Sequence, residues 1–313
     1  MIMGWMEKNW PSWMERRLKE TLPDLRIERD APMSRYTSFR IGGPAALLIF
    51  PRSSDELCKI LAYSAVCGVA PVIVGKGTDL LVADEGLLQP VLRLTEMKSI
   101  RRISEDILEA QSGVSLASLA AAACKMNLSG LEFAHGIPGS LGGALYMNAG
   151  AYDGEMKQLV LQVQALHRCG KYWKTLTLSN KECDFAYRHS LFSSGDYIIL
   201  SAQLRLQPGE EKVIRSKMDE LAARRKESQP LEYPSAGSVF KRPEGYFAGT
   251  LIQEAGLKGL RVGGAQVSEK HAGFIVNAGD ASAEDVKALI RQIQDTVYKD
   301  AGVQLEPEIC FLR

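Results

Sequence analysis

The amino-acid sequence predicts an α+β protein with more than one domain, and three observations carry that reading. Stretches with helical spacing and cap residues interleave with short runs of alternating apolar and polar residues, without the regular βα repeat of a doubly wound parallel sheet. A length of 313 residues with 46% hydrophobic content allows two or three cores. Glycine, finally, concentrates in a few stretches between these elements, most densely in residues 130–155, GLEFAHGIPGSLGGALYMNAGAYDGE, which hold seven glycines.

Taken in order, Trp5 to Leu22 mixes Trp10, Trp13, Met14 and Leu18 with charges at helical spacing, which predicts an amphipathic helix on the outside of a domain. Residues 34–45, SRYTSFRIGGPA, place hydroxyls and two arginines before a Gly-Gly-Pro turn and a strand over 46–50, a candidate ligand-lining segment. Ser53 to Val66 predicts a helix: Ser53 and Glu56 have capping-box spacing, Leu57, Ile60, Leu61 and Ala65 share a face, and Gly68 ends it. A buried strand over 71–74 leads into Gly75-Lys76-Gly77-Thr78-Asp79, a loop able to aim backbone N–H groups at a phosphate. It lacks the third glycine and the following helix of a dinucleotide fingerprint, and it is not a P-loop.

Further strands are expected over 91–94 and 107–111, then a helix from Ser115 to Met126. Strands over 161–166 and 172–178 form a hairpin, and 198–206 alternates strictly until Pro208-Gly209 stops it. Glu210 to Lys226 is a charged helix and the natural boundary between halves. Beyond it lie a helix over 248–255, a strand before Asn277, a helix from Ala283 to Tyr298 with Ser282 as N-cap, and two short strands around Glu306-Pro307-Glu308.

The glycine-dense stretch is the organising one. Gly139, Ser140, Gly142, Gly143 and Ala144 remove Cβ bulk behind the Ile137-Pro138-Gly139 turn, and Asn148-Ala149 follow directly, so close backbone approach and an amide are offered together. Such a surface suits a large planar or anionic ligand. Composition narrows the alternatives: 38 Lys plus Arg against 37 Asp plus Glu argue against a duplex nucleic-acid binder. Six cysteines without a CxxC pair suggest neither a zinc site nor a disulfide framework, so no metal is expected and the thiols read as reduced core residues. No continuous apolar h-region opens the chain and no run of about 18 apolar residues occurs, which places the protein in the cytoplasm without a membrane span.

Eight segments in the same order resemble the UDP-N-acetylenolpyruvoylglucosamine reductase (MurB) family of flavoenzymes. They are TSFRIGGPA at 37–45, GKGTDLL at 75–81, GLEFAHGIPGSLGGALYMNAGAY at 130–152, CDFAYRHSLF at 183–192, PSAGSVFKRPEG at 234–245, AGTLIQEAGLKG at 248–259, VSEKHAGFIVN at 267–277 and LEPEI at 305–309. The AGSVFK and YRHS forms look like the family's shorter, type II branch. The resemblance implies a vanillyl-alcohol-oxidase (PCMH-type) FAD-binding fold of two subdomains plus a C-terminal α+β substrate-binding domain. On this chain that means an N-terminal helical extension over 1–33, an FAD-binding domain over 34–209 with subdomains at about 34–100 and 101–209, and a substrate-binding domain over 210–313. It implies non-covalent FAD, NADPH as co-substrate, and reduction of UDP-N-acetylglucosamine enolpyruvate to UDP-N-acetylmuramate for peptidoglycan.

Roles implied by the resemblance fall on matching positions. Ser238 is the general acid, and Arg188 and Glu308 flank the developing enolate. The types fit the chemistry, since addition to the enolpyruvyl double bond builds charge beside a carboxylate and a proton must then reach the adjacent carbon. Arg40, Gly42, Gly75, Gly77, Thr78, Asp79, Gly136, Pro138, Gly139, Ser140, Gly142, Gly143, Asn148 and Ala149 are the expected FAD contacts. Tyr187, Lys241, Arg242 and Gln253 are the expected substrate contacts. Two departures stand out: Thr78-Asp79 where many members have Ser-Asn, and Arg242 where they have Asn. Asp79 brings negative charge toward a phosphate unless it turns away, whereas Arg242 strengthens contact with a diphosphate. Two other readings compete: a flavin-dependent alcohol or sugar oxidase of the same fold, for which His135 is the candidate attachment point, and a catalytically silent nucleotide-binding module, which has no use for Arg188, Ser238 and Glu308 together. Oligomeric state is not legible.

Overall fold

The computed structural model describes residues 2–313, with side chains from Asn9 onward. The expected helix at Trp5 is present, as α1 (Ile2–Thr21), while the Trp5 side chain and Met1 lie outside the described residues. The chain forms two compact units, one of residues 1–29, 46–76 and 89–223, the other of residues 30–45, 77–88 and 224–313. This division does not follow the sequence-derived boundaries. Residues 30–45 and 77–88 pack with the C-terminal third because Phe39, Ile41 and Leu81 belong to the same buried cluster as Val239, Ile275 and Ile290.

The first unit has two cores. In one, Trp10, Met14 and Leu18 of α1 are buried against Leu57, Ile60 and Leu61 of α2 (Ser54–Cys67), together with Leu47, Ile49 and Leu92. That packing accounts for Trp10, and Trp13 lies against the same core. Ser53 caps α2 by accepting the Glu56 N–H at 3.2 Å, and Gly68 ends it at φ 71°. The expected capping box is only half formed, because the Glu56 carboxylate accepts from the Arg52 N–H at 2.8 Å and from its guanidinium. Strand 72–74 runs parallel to strand 87–93, pairing Val72 with Val91. The latter strand begins earlier than the apolar run suggests.

The second core lies under an antiparallel five-stranded sheet ordered 172–179, 160–169, 197–205, 107–111, 100–102. Its hairpin turns at Gly170-Lys171, with Gly170 at φ 64° as a two-residue connection requires. Leu116, Leu119, Ala120 and Ala123 of α3 (Leu116–Lys125) and Leu141, Ala144 and Leu145 of α4 (Leu141–Tyr146) bury their apolar faces in this core. The glycine-dense stretch therefore contains a short helix where the sequence suggests only loop. Small residues at 142–144 are good for close packing, and Leu141 and Leu145, one turn apart, supply the buried stripe. Helix α5 (Glu211–Ser228) continues two residues past its expected end.

The second unit is built on an antiparallel sheet ordered 235–238, 274–277, 265–267, 261–262. Helices α6 (Ala248–Glu254) and α7 (Ala283–Ala301) bury Leu251, Ile252, Val286, Leu289, Ile290 and Ile293 in one core with it. The α7 N-terminus is capped twice over. Ser282 and Asp285 form a capping box, and both carboxylate oxygens of Asp84 accept, from the Ala283 N–H at 2.8 Å and the Glu284 N–H at 3.2 Å. Strand 310–312 pairs in parallel with strand 80–82, which fixes the LEPEI segment just before it.

Candidate active site

In the first unit the glycine-dense stretch is stitched to the 112–116 segment. Leu116 N–H donates to the Gly139 carbonyl at 3.1 Å, Leu141 N–H to the Val114 carbonyl at 2.8 Å, and Gly142 N–H to the Ser112 carbonyl at 2.7 Å. Each expected glycine answers to a different constraint. A Cβ on Gly75 would lie 2.2 Å from Ser140 Oγ, and one on Gly142 would lie 3.0 Å from the Ser112 Cβ, so both are small because protein atoms are close. A Cβ on Gly143 would meet only Ser140 Oγ, at 3.7 Å, and Gly143 is exposed. No protein atom requires glycine there. Ser112, against which Gly142 packs, has a buried Oγ without a hydrogen-bond partner, as has His135 at Nδ1. An open face at Gly143, with an unpartnered buried hydroxyl behind the preceding glycine, fits a flat ligand carrying hydrogen-bonding groups, and so fits the expected flavin nucleotide. Gly136, Pro138 and Gly139 form the turn leading into it, with Pro138 exposed.

The structure assigns Asn148 differently from the sequence reading. Its side-chain amide donates to Glu155 at 2.8 Å and to the Ala186 carbonyl at 3.1 Å, and its oxygen accepts the Lys157 N–H at 2.9 Å. With the side chain 2% exposed and so committed, Asn148 holds the segment carrying Tyr187 and Arg188 in place of offering an amide to a cofactor. The same segment is tied again by Ser190, whose buried hydroxyl donates to the Tyr146 carbonyl at 2.7 Å. Nothing in the separate motifs GLEFAHGIPGSLGGALYMNAGAY and CDFAYRHSLF signals this joint; the one hint is an amide set among apolar residues, Met147 and Ala149. Between these anchors Arg188 takes φ 51°, its guanidinium 5.1 Å from the ring of the exposed Tyr187. Asn148 itself is at φ 43° and Ala149 donates its N–H to the Ala144 carbonyl at 2.7 Å.

In the second unit, Ser38 N–H donates to the Gly77 carbonyl at 2.9 Å, and a Cβ on Gly77, at φ 70°, would lie 2.3 Å from the Tyr36 carbonyl oxygen. Gly42 at φ 134° packs against Val82, and Arg40 sits at φ 56° at the tip of that loop. Arg40 and Gly42 line an open cleft of about 680 Å³ with Ser34, Asp84, Tyr233 and Asp280. Thr78 is half-buried, and Asp79 accepts the Cys310 N–H on its main-chain carbonyl at 3.0 Å. The Cys310 thiol is pushed up to about 11, first by burial and then by the negative charges of Asp79 and Glu308.

The segment carrying Glu308 is bonded to the residues that follow Ser238. Glu308 N–H donates to the Val239 carbonyl at 2.7 Å, and Phe240 bridges Pro307. Ser238 closes a bulged strand in which Gly237 takes φ 81°, and its hydroxyl makes one long bond, 3.3 Å to the Phe240 carbonyl. A half-buried hydroxyl with so weak a partner is free to turn to a ligand. Lys241 pairs with Glu306 at 2.5 Å, Arg242 lies over the exposed Phe247 ring at 4.0 Å, and Gln253 is exposed on α6. Cys67 and Cys183 are pushed up to about 11 and about 12 by burial, which makes them poor nucleophiles at neutral pH; Cys58 and Cys169, against expectation, are exposed. Among the described residues no cluster suited to a metal ion occurs, and no helix is long and apolar enough to cross a membrane.

Comparison with known proteins matches residues 45–175 to the FAD binding domain and residues 229–312 to the C-terminal domain of UDP-N-acetylenolpyruvoylglucosamine reductase. Among curated relatives, the UDP-N-acetylenolpyruvoylglucosamine reductase of Agathobacter rectalis is 48% identical over 302 residues, covering 93% of this chain and 95% of the relative. That of Caldanaerobacter subterraneus subsp. tengcongensis is 47% identical over 293 residues, covering 94% and 96%. Among solved structures, the crystal structure of the reductase from Thermus caldophilus superposes with a TM-score of 0.79 at 35% identity, covering 92% of this chain and all of that one.

Proposed function

The chain belongs to the UDP-N-acetylenolpyruvoylglucosamine reductase family and is an FAD-containing oxidoreductase with the PCMH-type α+β fold; on that footing we propose that it uses NADPH to reduce UDP-N-acetylglucosamine enolpyruvate to UDP-N-acetylmuramate, with Ser238 as proton donor. Bound FAD would supply the two-electron redox chemistry between NADPH and the enolpyruvyl double bond. The chain's own residues bind, orient and protonate. Gly143 and the Ser140 and Ser112 hydroxyls are the proposed flavin contacts that the geometry of their own unit supports, and Arg40, Gly42, Gly77 and Thr78 are carried as proposed FAD contacts. Residues 34–209 act as the FAD-binding part and 210–313 as the substrate-binding part.

The observation that supports the catalytic reading is the backbone bond from Glu308 to Val239, the residue after Ser238. The Ser238 hydroxyl is loosely held and the Glu308 side chain is half-buried; the one can deliver a proton, and the other, as a protonated carboxyl, can donate a hydrogen bond to the enolate. Arg188 supplies the countercharge, and its strained backbone is the kind found where a side chain must point in one direction. Tyr187, Lys241, Arg242 and Gln253 receive the nucleotide-sugar, Arg242 bringing a planar donor to its diphosphate. A UDP-sugar substrate and NADPH are metabolites of the cytoplasm, where we place the enzyme.

Pre-reduced holoenzyme mixed anaerobically with the enolpyruvyl substrate tests this. Ser238→Ala should take up FAD and be reduced by NADPH as the parent is, then reoxidise slowly. Rapid reoxidation with product formation would remove Ser238 from the reaction. Flavin that stays with acid-precipitated protein would instead favour the oxidase reading through His135.

A further inference from the structure

Phe247 breaks the local rules of its position. It is the N-cap of α6, its carbonyl accepting the Thr250 and Leu251 N–H groups at 3.1 Å each, and that position favours serine, threonine, aspartate or asparagine. A phenylalanine offers the helix no side-chain cap, and the first turn of α6 holds no acidic residue in compensation. Nor does the ring serve the core. Ala248, Leu251 and Ile252 bury the apolar face of the helix, while Phe247 stays 59% exposed. An aromatic ring kept in solvent where a helix cap belongs points to a use outside the fold itself.

Among the described residues, the cation over this ring is Arg242, its Cζ 4.0 Å from the centroid. The backbone holds both ends of the contact. The Lys241 N–H donates to the Glu306 carbonyl at 2.9 Å and the Lys241 ammonium pairs with the Glu306 carboxylate, so the chain entering Arg242 is pinned to the C-terminal segment. Pro243 and Gly245, the latter at φ 76°, then make a turn closed by the Tyr246 N–H on the Pro243 carbonyl at 3.1 Å, and Phe247 follows directly at the start of α6. All of these residues belong to the second unit. A guanidinium is attracted to an aromatic face and carries its N–H donors in its own plane, so such a contact restricts the side chain without using up its donors.

We infer that Phe247 is a positioning residue for Arg242: the exposed ring confines the guanidinium before substrate arrives, so that less side-chain freedom is lost when the arginine binds a diphosphate. The inference rests on the proposed contact between Arg242 and the diphosphate of the UDP-sugar. It accounts for an aromatic residue at a cap position. It also makes the contribution one of ground-state binding, which appears in the half-saturating substrate concentration and leaves the limiting rate alone.

The test titrates UDP into oxidised holoenzyme and follows anaerobic reoxidation of NADPH-reduced holoenzyme over a range of UDP-N-acetylglucosamine enolpyruvate concentrations. The variants are Phe247→Ser, Phe247→Tyr, Arg242→Ala and the Phe247→Ser/Arg242→Ala double variant. Phe247→Ser supplies a cap hydroxyl, so its thermal midpoint should equal or exceed that of the parent. Its UDP affinity should nonetheless fall roughly 3- to 10-fold, and its half-saturating substrate concentration should rise by the same factor, with FAD content and limiting rate as in the parent. Phe247→Tyr, which keeps the aromatic face, should bind UDP within about twofold of the parent. The decisive arm is the double variant, which should bind UDP no more weakly than Arg242→Ala, because a residue acting through Arg242 has nothing left to act on. Parental UDP affinity in Phe247→Ser while Arg242→Ala binds weakly overturns the inference. So does a double variant weaker than Arg242→Ala by the full Phe247→Ser factor, a result that would assign the ring to the nucleoside base instead. Parental UDP affinity in Arg242→Ala is a separate failure, that of the diphosphate contact, and it overturns the role of Phe247 along with it.

Discussion

Substituting Gly143 with alanine should stabilise the empty protein and weaken its hold on FAD, two effects of opposite sign from one methyl group. The position lies inside α4, outside the left-handed region, and the added Cβ would meet only Ser140 Oγ at 3.7 Å, an ordinary van der Waals distance. With nothing to strain, the substitution removes backbone freedom from the unfolded chain and should gain about 0.5–1 kcal/mol in apoprotein stability. The same methyl projects from the exposed face proposed to take the flavin nucleotide. Overpacking a close contact costs about 1–3 kcal/mol, which is roughly a 5- to 150-fold loss of affinity. Denaturant unfolding of apoprotein measures the first effect and fluorescence titration with FAD the second. Gly77→Ala is the contrast: at φ 70° and 2.3 Å from the Tyr36 carbonyl oxygen it should destabilise the apoprotein outright. Parental FAD affinity in Gly143→Ala would refute the assignment of this face to the cofactor.

Three further expectations follow from the site. Arg188→Gly should relieve the φ 51° strain and stabilise the protein by about 1 kcal/mol, yet slow substrate reduction by roughly 10²-fold or more, with Glu308→Gln slowing it similarly. Unchanged flavin reduction by NADPH is required of both, and an equal fall there would show that the residues act on the wrong half-reaction. Asn148→Ala removes the bonds to Glu155 and the Ala186 carbonyl and leaves the Lys157 N–H without its acceptor, and should cost about 2–3 kcal/mol, with faster proteolysis near residue 188; thermal melts within a degree of the parent would sink the anchoring role. The Ser282 N–H, with that of Gly264 adding, holds the Asp285 carboxyl below the usual carboxylate range. A depressed folded pKa means stability present above about pH 4 and lost as pH falls through the folded value, so the stability gap between parent and Asp285→Asn should narrow on acidification. A gap constant from pH 5 down to pH 2 would contradict it.

Much of the fold is legible because local signals and burial agree. Ser53, Ser115 and Ser282 cap their helices as their positions suggest, and Gly68 and Gly302 end two of them in the left-handed region. Strict alternation from Ile198 to Leu206 is the signature of the strand at 197–205, the centre of the five-stranded sheet. What escapes the sequence is long-range. Phe39, Ile41 and Leu81 look like ordinary strand-edge apolar residues, and only their burial with Ile290 and Val239 shows that 30–45 and 77–88 belong with the C-terminal third. Helix α4 escapes for another reason, since two glycines in its first turn contradict helix propensity and tertiary packing of Leu141 and Leu145 overrides them.

At the site, the chemistry-bearing types are legible and their commitments are not. Nine described non-glycine residues have positive φ, and six are Asp or Asn, whose short side chains tolerate that region. Of the other three, Arg40, Tyr152 and Arg188, two are residues singled out beforehand as ligand-facing. A β-carbon in that region carries a cost that no helix or strand requires of a loop arginine, so the folded chain must hold it there. At Arg188 the means are visible: Asn148 grips the Ala186 carbonyl and Ser190 grips the Tyr146 carbonyl, on either side of the strained residue. The glycine stretch therefore does two things at once. It offers an open face at Gly143, and through Tyr146 and Asn148 it fixes the direction of a cation, so the surface proposed for the cofactor and the residue proposed for the enolate are set by one piece of backbone.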